Sequence, residues 1–371
     1  MKKQELQTPS ILLDMDILEQ NIRAYQEVCN RSGKSLWPMI KTHKSAELAK
    51  MQLDAGAEGF LCGTLDECEM LCRLGAKRVM YAYPTANPAN IRRFIALEKQ
   101  AELIIRLDSY EAAALLQAEA EKEGVIVPYT VIVDMGFHRF GILPGSLAAF
   151  VQKLSALKNL KFLGISTHPG QVYGAAGRAE VEAAAKLERD TMKAAAMELA
   201  SAGFPPQIVS SGSTPTFLFA AEDDTINTLH PGNYTFFDAI QIALGSAEEK
   251  NCALRVFATI IARPSADRFL CDAGSKCLGL DQGAHGSASI KGYGRIVGHP
   301  ELALVGLSEE VGKILVSGTT DLKIGDTIEI IPNHSCSSAN NTSFYTAIRG
   351  NEVAGVIPVD ARENSIPRKI G

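Results

Sequence analysis

Up to about residue 245, short apolar or β-branched runs alternate with longer segments whose apolar residues recur at helical spacing. The first helix is predicted over residues 16–30. Another is predicted from Thr64 to Gly75, because Thr64 and Glu67 have capping-box spacing and glycine often ends a helix. The runs predicted as strands cover residues 36–41, 58–63, 78–83, 102–107, 128–134, 161–167, 206–211 and 226–230. This alternation is typical of repeated βα units.

Eight βα units in about 240 residues predict a (β/α)8 (TIM) barrel, and an open doubly wound sheet is the alternative. The barrel is favoured because polar or glycine-rich residues follow the predicted strand ends, where barrel active sites lie. These groups are Lys41 to Lys44, Gly63 and Thr64, Tyr83 and Pro84, Asp134 to Arg139, His168 to Gly170, Ser210 to Thr214, and Pro231 to Tyr234.

After Gly245 the pattern changes to short β-like runs separated by glycines, with hardly any helical period. We therefore predict a barrel over residues 15–246 and a second, β-rich domain over residues 247–371. The strands predicted in this second domain cover residues 254–262, 268–272, 302–306, 313–317, 327–331, 344–349 and 352–357.

Composition narrows the function classes. Hydrophobic residues make up 46% and charged residues 21% of the chain, which is close to the averages for soluble globular proteins and argues against disorder, collagen-like repeats or a coiled coil. The net charge of −5 and the scattered basic residues argue against nucleic-acid binding. The sequence has no run of about 18 apolar residues, so it predicts no membrane span. We therefore expect a cytoplasmic protein. The eight cysteines form no CxxC pair, and we expect most of them to be reduced core residues.

Lys41 ends an apolar run that should lie inside the barrel. A buried lysine needs a charge partner, a lowered pKa or a covalent role. The alternative is that Lys41 simply reaches solvent at the barrel mouth.

Two glycine-containing turns follow the last two predicted strands, at Ser210 to Pro215 and at His230 to Tyr234. Barrels often bind phosphate with backbone N–H groups from these two turns. A phosphate site together with a lysine indicates pyridoxal phosphate, although phosphosugar aldolases use the same two parts.

Two further motifs bear on the chemistry. His334 and Cys336 alternate along the chain, so in an extended segment they would face the same side and hold Zn²⁺ with open positions. Polar residues in a β-turn are the simpler interpretation of that motif. In the segment from Asp134 to Gly141, Arg139 is a candidate to orient a cofactor or a substrate carboxylate, or to form a structural ion pair.

These motifs, in this order, resemble the D-threonine aldolase and D-serine dehydratase family, the metal-activated branch of the alanine-racemase-like, fold-type III pyridoxal-phosphate enzymes. The resemblance covers nearly the whole chain. It rests on Thr8 to Asp14, Lys41 to Ser45, Asp134 to Gly141, Ser210 to Thr216, Pro231 to Tyr234, Asp272 to Lys276, and Asn333 to Cys336. The sequence departs from the family where His230 replaces the usual arginine before Pro-Gly-Asn-Tyr.

The resemblance implies that Lys41 forms the Schiff base with pyridoxal 5′-phosphate and that His334 and Cys336 bind a divalent metal, Zn²⁺ or Mn²⁺. It also implies that residues 1–14 contribute a strand to the β-domain and that the protein is a homodimer. The residues expected to contact the cofactor are Lys41, Arg139, His168, Ser211, Gly212, Ser213, Thr214, Gly232, Asn233 and Tyr234.

The function implied by the resemblance is that of a lyase acting on D-configured β-hydroxy amino acids. Dehydration and deamination to a 2-oxo acid and ammonia is favoured, because the dehydratase branch tends to carry His-x-Cys and the aldolase branch His-x-Asp. Retro-aldol cleavage to glycine and an aldehyde is the main alternative. An amino-acid racemase would need a second base, for which Tyr173, Tyr293 and Tyr345 are candidates, and a non-catalytic cofactor carrier is a further alternative.

Overall fold

The computed structural model describes residues 1–282 and 290–362 in two domains. The end of the predicted β-rich domain, residues 363–371, lies outside the described residues, as does the segment 283–289. One sheet contains eight parallel strands and the other nine strands in mixed orientation. Both the predicted barrel and the predicted β-rich domain are therefore confirmed.

The eight-stranded sheet forms the barrel in the order β2-β9-β8-β7-β6-β5-β4-β3, and a parallel bridge between Met39 and Leu61 joins its two ends. Its strands are β2 (Ser35–Leu36), β3 (Phe60–Cys62), β4 (Arg78–Tyr81), β5 (Glu102–Leu107), β6 (Val127–Ile132), β7 (Leu160–Ser166), β8 (Ile208–Ser211) and β9 (Thr228–Leu229). A cluster of buried side chains fills the interior of the barrel. It consists of Trp37, Met39, Leu61, Met80, Ala82, Ile104 and Leu163.

Helices pack around the outside of the barrel because their apolar faces cover the outer surface of the strands. They are α1 (Met15–Ser32), α2 (Ala46–Ala55), α3 (Leu65–Leu74), α4 (Pro88–Leu97), α5 (Tyr110–Glu123), α6 (Leu147–Leu154), α7 (Arg178–Ser201), α8 (Phe217–Ala221) and α9 (Ala239–Ala243). The predicted caps of α3 are present, since the Thr64 side chain accepts from Glu67 N and Gly75 adopts a left-handed conformation.

The nine-stranded sheet belongs to the second domain, but its central strand comes from the start of the chain. This strand, β1 (Ser10–Asp14), pairs antiparallel with β10 and parallel with β16. The other strands are β10 (Leu254–Ser265), β11 (Arg268–Cys271), β12 (Gly294–Ile296), β13 (Leu302–Leu307), β14 (Gly312–Val316), β15 (Thr327–Pro332), β16 (Phe344–Arg349) and β17 (Glu352–Pro358). Two short helices interrupt the β pattern, namely α10 (Ser275–Leu278) and α11 (Ser335–Asn340).

A single apolar cluster joins the two domains, because Leu18 and Ile22 of α1 pack in the same core as Val256 and Ile330 of the β-sheet. The two domains therefore share one hydrophobic core. Within residues 1–282 and 290–362, no helix combines the length and the apolar composition that a membrane crossing requires.

Candidate active site

A cavity lies where the carboxyl ends of the barrel strands meet the β-domain. Nine of the twelve residues predicted for the site line it: Lys41, Arg139, His168, Gly212, Ser213, Gly232, Asn233, His334 and Cys336. The motifs that are scattered over almost 300 positions of the sequence thus face one space.

Lys41 lies in a 3₁₀ turn, Ile40–Thr42, directly after β2. Its side chain is exposed and lines the cavity, which agrees with the interpretation that Lys41 reaches solvent at the barrel mouth and not with burial inside the barrel. The physical reason is that the strand hydrogen bonds of this segment end at Met39 and the chain turns at Ile40 before it reaches Lys41. Burial and then the positive charge of Lys41 lower the pKa of His168, and the same charge adds to the lowering of the pKa of Cys336 by His334.

Both predicted phosphate turns border the cavity through their glycines. A Cβ at Gly212, which has a φ of +159°, would lie 2.6 Å from the backbone N of His230. A Cβ at Gly232 would lie 3.0 Å from the carbonyl oxygen of Met39. Glycine at these two positions therefore lets the turns pack directly against the ends of neighbouring strands.

The three predicted residues that do not line the cavity hold the turns from behind. The Thr214 hydroxyl accepts from the backbone N of Tyr234 at 3.1 Å, which ties one turn to the other. The Tyr234 hydroxyl accepts from Gln52 Nε2 at 2.8 Å, and its ring stacks on Tyr25. The Ser211 hydroxyl donates to the Glu188 carboxylate, away from the cavity.

Two histidines at the base of the cavity are held as neutral rings. His168 Nδ1 lies 2.9 Å from the carbonyl oxygen of Gly212, and His230 Nδ1 lies 2.9 Å from that of Trp37. Since a carbonyl only accepts, each Nδ1 carries the proton. Burial lowers the pKa of His168 to about 3 and the pKa of His230 well below its usual value. His230 Nε2 is consequently an acceptor, and it is buried without a hydrogen-bond partner in the described structure.

Arg106 on β5 is a site residue that the sequence analysis missed. It is buried, its Nε contacts the Met80 sulfur at 3.2 Å, and its Nη2 has no hydrogen-bond partner among the described residues. Burial lowers the pKa of its guanidinium to about 10. A charged residue in the apolar run from Leu103 to Leu107 is the signal that could have found it.

Arg139 also lines the cavity and is more exposed than Arg106. Its guanidinium carbon is 4.7 Å from the centre of the Phe137 ring and 5.2 Å from that of Phe140. These aromatic faces hold the positive charge beside the cavity. Arg106 and Arg139 thus add two positive charges to that of Lys41, and the cavity suits an anionic molecule.

His334 and Cys336 enter the cavity from the β-domain, but not from an extended segment. His334 is the N-cap of α11 and Cys336 lies in its first turn, so the geometry expected from alternate positions is wrong. They remain close enough to interact. Burial alone would lower the pKa of His334, yet the negative Cys336 and Asp281 raise it well above its usual value. Burial would raise the pKa of Cys336, yet the neighbouring His334 lowers it below its usual value.

Asp238 joins the two domains at this point and was not predicted either. It is completely buried and accepts from Asn233 Nδ2 at 2.6 Å, Ser335 N at 2.9 Å and Gln241 N at 3.0 Å. Because Ser335 stands between His334 and Cys336, this carboxylate fixes α11 against the barrel. Gln241, which the sequence analysis missed, lines the cavity together with Asp238. Tyr173, which the sequence analysis named only as a possible second base of a racemase, lines it as well.

Family models match both parts of the chain. The alanine racemase N-terminal domain matches residues 13–239, and the putative serine dehydratase domain matches residues 253–348. These ranges coincide with the barrel and with most of the β-domain.

Two characterised relatives match over nearly their whole length. D-threo-3-hydroxyaspartate dehydratase from Delftia sp. strain HT23 is 29% identical over 92% of this chain and 94% of its own. 3-Hydroxy-D-aspartate aldolase from Paracoccus denitrificans strain Pd 1222 is 28% identical over 98% of this chain and 94% of its own.

Solved structures share the fold. D-threonine aldolase from Filomicrobium marinum superposes with a TM-score of 0.89 at 24% identity, covering 98% of this chain and 97% of that one. A cysteine-to-alanine mutant of D-threo-3-hydroxyaspartate dehydratase in the metal-free form superposes with a TM-score of 0.89 at 28% identity, covering 96% and 99%. The chain therefore belongs to the alanine racemase N-terminal domain family, in the group of D-threonine aldolase and D-serine dehydratase that joins this barrel to the serine dehydratase domain.

Proposed function

We propose that the protein is a lyase that acts on D-configured β-hydroxy amino acids with pyridoxal 5′-phosphate and a divalent metal. One observation carries the proposal: Lys41 of the barrel and the His334–Cys336 pair of the β-domain line the same cavity. A cofactor attached to the lysine and a metal on the pair would then both reach one small substrate.

The residues present fit pyridoxal phosphate. Gly212, Ser213 and Gly232 border the cavity with closely packed backbone, which suits a phosphate group. The unpaired Nη2 of Arg106 and Nε2 of His230 are buried polar atoms that a polar ligand would satisfy. Lys41 is exposed to the cavity and would be the covalent attachment point for the aldehyde.

When bound, pyridoxal phosphate supplies an electron sink for negative charge at the substrate Cα. With the cofactor bound, the Lys41 amine would be the base that takes the Cα proton. Arg139, beside the cavity, would orient the substrate carboxylate by charge-assisted hydrogen bonds. The neutral rings of His168 and His230 shape the base of the cavity without adding charge.

The donor set also fits a metal. Imidazole and thiolate are the ligands that Zn²⁺ prefers, and two protein ligands leave open positions for a substrate hydroxyl and water. The described residues contain no group of three or more His, Cys, Asp or Glu side chains arranged for a metal. Zn²⁺ or Mn²⁺ held by His334 and Cys336 would act as a Lewis acid at the β-hydroxyl.

Dehydration is the reaction we infer, with loss of the β-hydroxyl as water and final products of a 2-oxo acid and ammonia. The support is the cysteine at position 336, which is typical of the dehydratase branch of the family. Relatives of almost equal similarity act as a dehydratase and as an aldolase on 3-hydroxyaspartate, so retro-aldol cleavage to glycine and an aldehyde is the second candidate.

The test is a product assay. The purified protein, supplied with pyridoxal phosphate and Zn²⁺ or Mn²⁺, is incubated with the D- and L-isomers of serine, threonine and 3-hydroxyaspartate. We expect a 2-oxo acid and ammonia from D-isomers alone, identified by mass spectrometry. Glycine and an aldehyde would support the aldolase instead. Interconversion of enantiomers without cleavage would overturn the lyase proposal in favour of a racemase, with Tyr173 in the cavity as the second base.

The metal has its own test. The double change His334→Ala and Cys336→Ala should abolish lyase activity and the retention of Zn²⁺ by the purified protein. Attachment of the cofactor at Lys41 should remain intact. Cys277→Ala, which removes another partly exposed cysteine of the β-domain, is the matched control. Full activity of the double variant, or indifference of the wild type to chelators, would exclude the proposed metal role.

A further inference from the structure

Glu188 is a buried carboxyl group that lies behind one of the two turns proposed to hold phosphate. It comes from the middle of α7 and is completely inaccessible to solvent. Its Oε1 accepts a hydrogen bond from the Ser211 hydroxyl, and Ser211 begins the turn that continues through Gly212 and Ser213 into the cavity. One turn of backbone therefore separates this carboxyl from the cavity.

Thr216, which follows the turn, also lies near Glu188. The Thr216 hydroxyl lies 3.0 Å from that of Ser213 and is close enough to Glu188 to favour its charged form. The second carboxyl oxygen, Oε2, has no hydrogen-bond partner among the described residues. A buried oxygen without a partner is costly when the group is ionised, and protonation at Oε2 removes most of that cost.

The charged groups near Glu188 do not offset the cost of burying its ionised carboxylate. Arg189, its neighbour on α7, favours the ionised form, whereas Asp223, from the segment after α8, opposes it. Neither forms an ion pair with Glu188 within the described structure. Burial is the larger effect and raises the pKa of Glu188 to about 7.

We propose that Glu188 couples phosphate binding to proton uptake: a phosphate group held by the Ser211–Thr214 turn requires Glu188 to be protonated. The reason is electrostatic, since an ionised carboxyl and a phosphate dianion would face each other across one turn in a poorly solvated environment. The inference rests on the proposed function, because it takes the phosphate of the cofactor to lie at this turn.

The sign of the pH dependence follows from linkage. Because the bound phosphate stabilises the protonated form, the pKa of Glu188 in the complex lies above its value in the free protein. Affinity is then highest below about pH 7 and falls as the pH rises, by up to about tenfold per pH unit. A phosphate ester has a second pKa near 6, so its own titration is complete above about pH 7.5.

The experiment uses pyridoxamine 5′-phosphate, which binds without forming a bond to Lys41, and the full-length protein. Isothermal titration calorimetry in buffers of different ionisation enthalpy counts the protons taken up on binding between pH 7.5 and 8.5. The wild type should take up more protons than Glu188→Gln, by a difference that approaches one. Pyridoxamine, which lacks the phosphate, should show no such difference.

Two controls separate this role from a structural one. Asp223→Asn changes a nearby carboxyl whose Oδ1 accepts from Thr225 N and Ile226 N, and it should keep the proton uptake of the wild type. Ser211→Ala keeps the carboxyl but removes a hydrogen bond that lowers the pKa of Glu188, so the pH range of proton uptake should move upward, and this shift tests the role even if Glu188→Gln folds poorly.

The outcomes distinguish the inference from the function on which it rests. Equal proton uptake by the wild type and Glu188→Gln, or loss of uptake in Asp223→Asn, would overturn the inference alone. Absence of pyridoxamine phosphate binding to the wild type at every pH would overturn the phosphate site, and the inference with it.

Discussion

At the scale of single residues, Lys41 lies exposed at the cavity, where its amine is accessible to a small molecule. Lys41→Ala should abolish the covalent adduct that borohydride reduction traps with pyridoxal phosphate, as measured by mass spectrometry. Lys50→Ala, which removes an exposed lysine paired with Asp54 on α2, should leave the adduct unchanged. An adduct of wild-type yield in Lys41→Ala would assign the attachment to another lysine.

His43, two residues after Lys41, predicts a dependence of stability on pH. Its buried ring contacts Gln52 Oε1 through Nε2 at 3.2 Å and accepts from Ser45 N through Nδ1 at 3.1 Å. Burial lowers its pKa to about 4. Below pH 6.5 the unfolded chain binds a proton that the folded protein does not, so stability is lost as the pH falls toward 4.

The expected result is a smaller pH slope in His43→Gln. The free energy of unfolding, from urea titrations at pH 4.5 to 6, should depend on pH less steeply than in the wild type, by up to about 1.4 kcal/mol per pH unit. Glutamine keeps a donor for Gln52, so the comparison isolates the proton. Equal slopes would mean that His43 is protonated in the folded protein.

Some site residues could be predicted from the sequence and others could not. Lys41 and the glycines at 212 and 232 stand in motifs whose chemistry is local. Arg106 and Glu188 act through their surroundings: each occurs in a strand or helix of ordinary appearance and is buried only by packing between distant elements. Their roles depend on an environment that a linear pattern does not contain.

At the scale of elements, the start of α3 supports the site. The Thr64 hydroxyl accepts from Glu67 N at 3.2 Å, and Glu67 in turn accepts from Gly63 N at 2.6 Å. Gly63 adjoins Lys41, since a Cβ built on Gly63 would lie 3.7 Å from the Lys41 Cβ. The N-terminal cap of α3 thus fixes the chain next to the proposed attachment point.

Thr64→Ala should therefore have two effects. Loss of the cap should lower the free energy of unfolding by about 1 kcal/mol, measured by urea denaturation, and the displaced Gly63 should weaken pyridoxal phosphate binding severalfold. Ser109→Ala removes the cap of α5, where the hydroxyl accepts from Ala112 N at 3.4 Å, and should affect stability alone. Cofactor affinity that is unchanged in Thr64→Ala would show that α3 does not position Lys41.

The boundaries of helices and strands differ from the prediction next to the candidate active site. The run 36–41 was predicted as one strand, but β2 covers only Ser35–Leu36. Trp37 N and Met39 N still donate to the carbonyl oxygens of Leu229 and Pro231, and the chain turns at Ile40. The motif at 334–336 forms the start of α11 rather than an extended segment. β12 is only three residues long, too short to show an alternating pattern.

At the scale of the whole molecule, the fold and the family could be predicted because several motifs occur in a fixed order with strand-and-helix spacing between them. The contacts between the domains could not. Cys336 Sγ lies 3.4 Å from the Thr42 hydroxyl, and the two residues are 294 positions apart. The packing of β1 into the second sheet and the hydrogen bond from Ser335 N to Asp238 help to bring them together.

This shared cavity predicts how a ligand stabilises the protein. A ligand that binds only the folded state at 100 times its Kd raises the free energy of unfolding by about 2.7 kcal/mol. Pyridoxal phosphate should therefore raise the Tm in calorimetry as its concentration increases. Lys41→Ala should show a smaller rise, because the turns at Gly212 and Gly232 would still hold the phosphate after the covalent bond is lost.

Pyridoxal without phosphate provides the complementary control, because it keeps the aldehyde for Lys41 and gives the turns nothing to hold. Its effect on the Tm of the wild type should be smaller than that of pyridoxal phosphate, and it should vanish in Lys41→Ala. The covalent and the phosphate contributions are then measured separately on the intact chain. No change in the Tm of the wild type with saturating pyridoxal phosphate would contradict the cofactor assignment, whatever the reaction, because binding to the folded state alone must stabilise it.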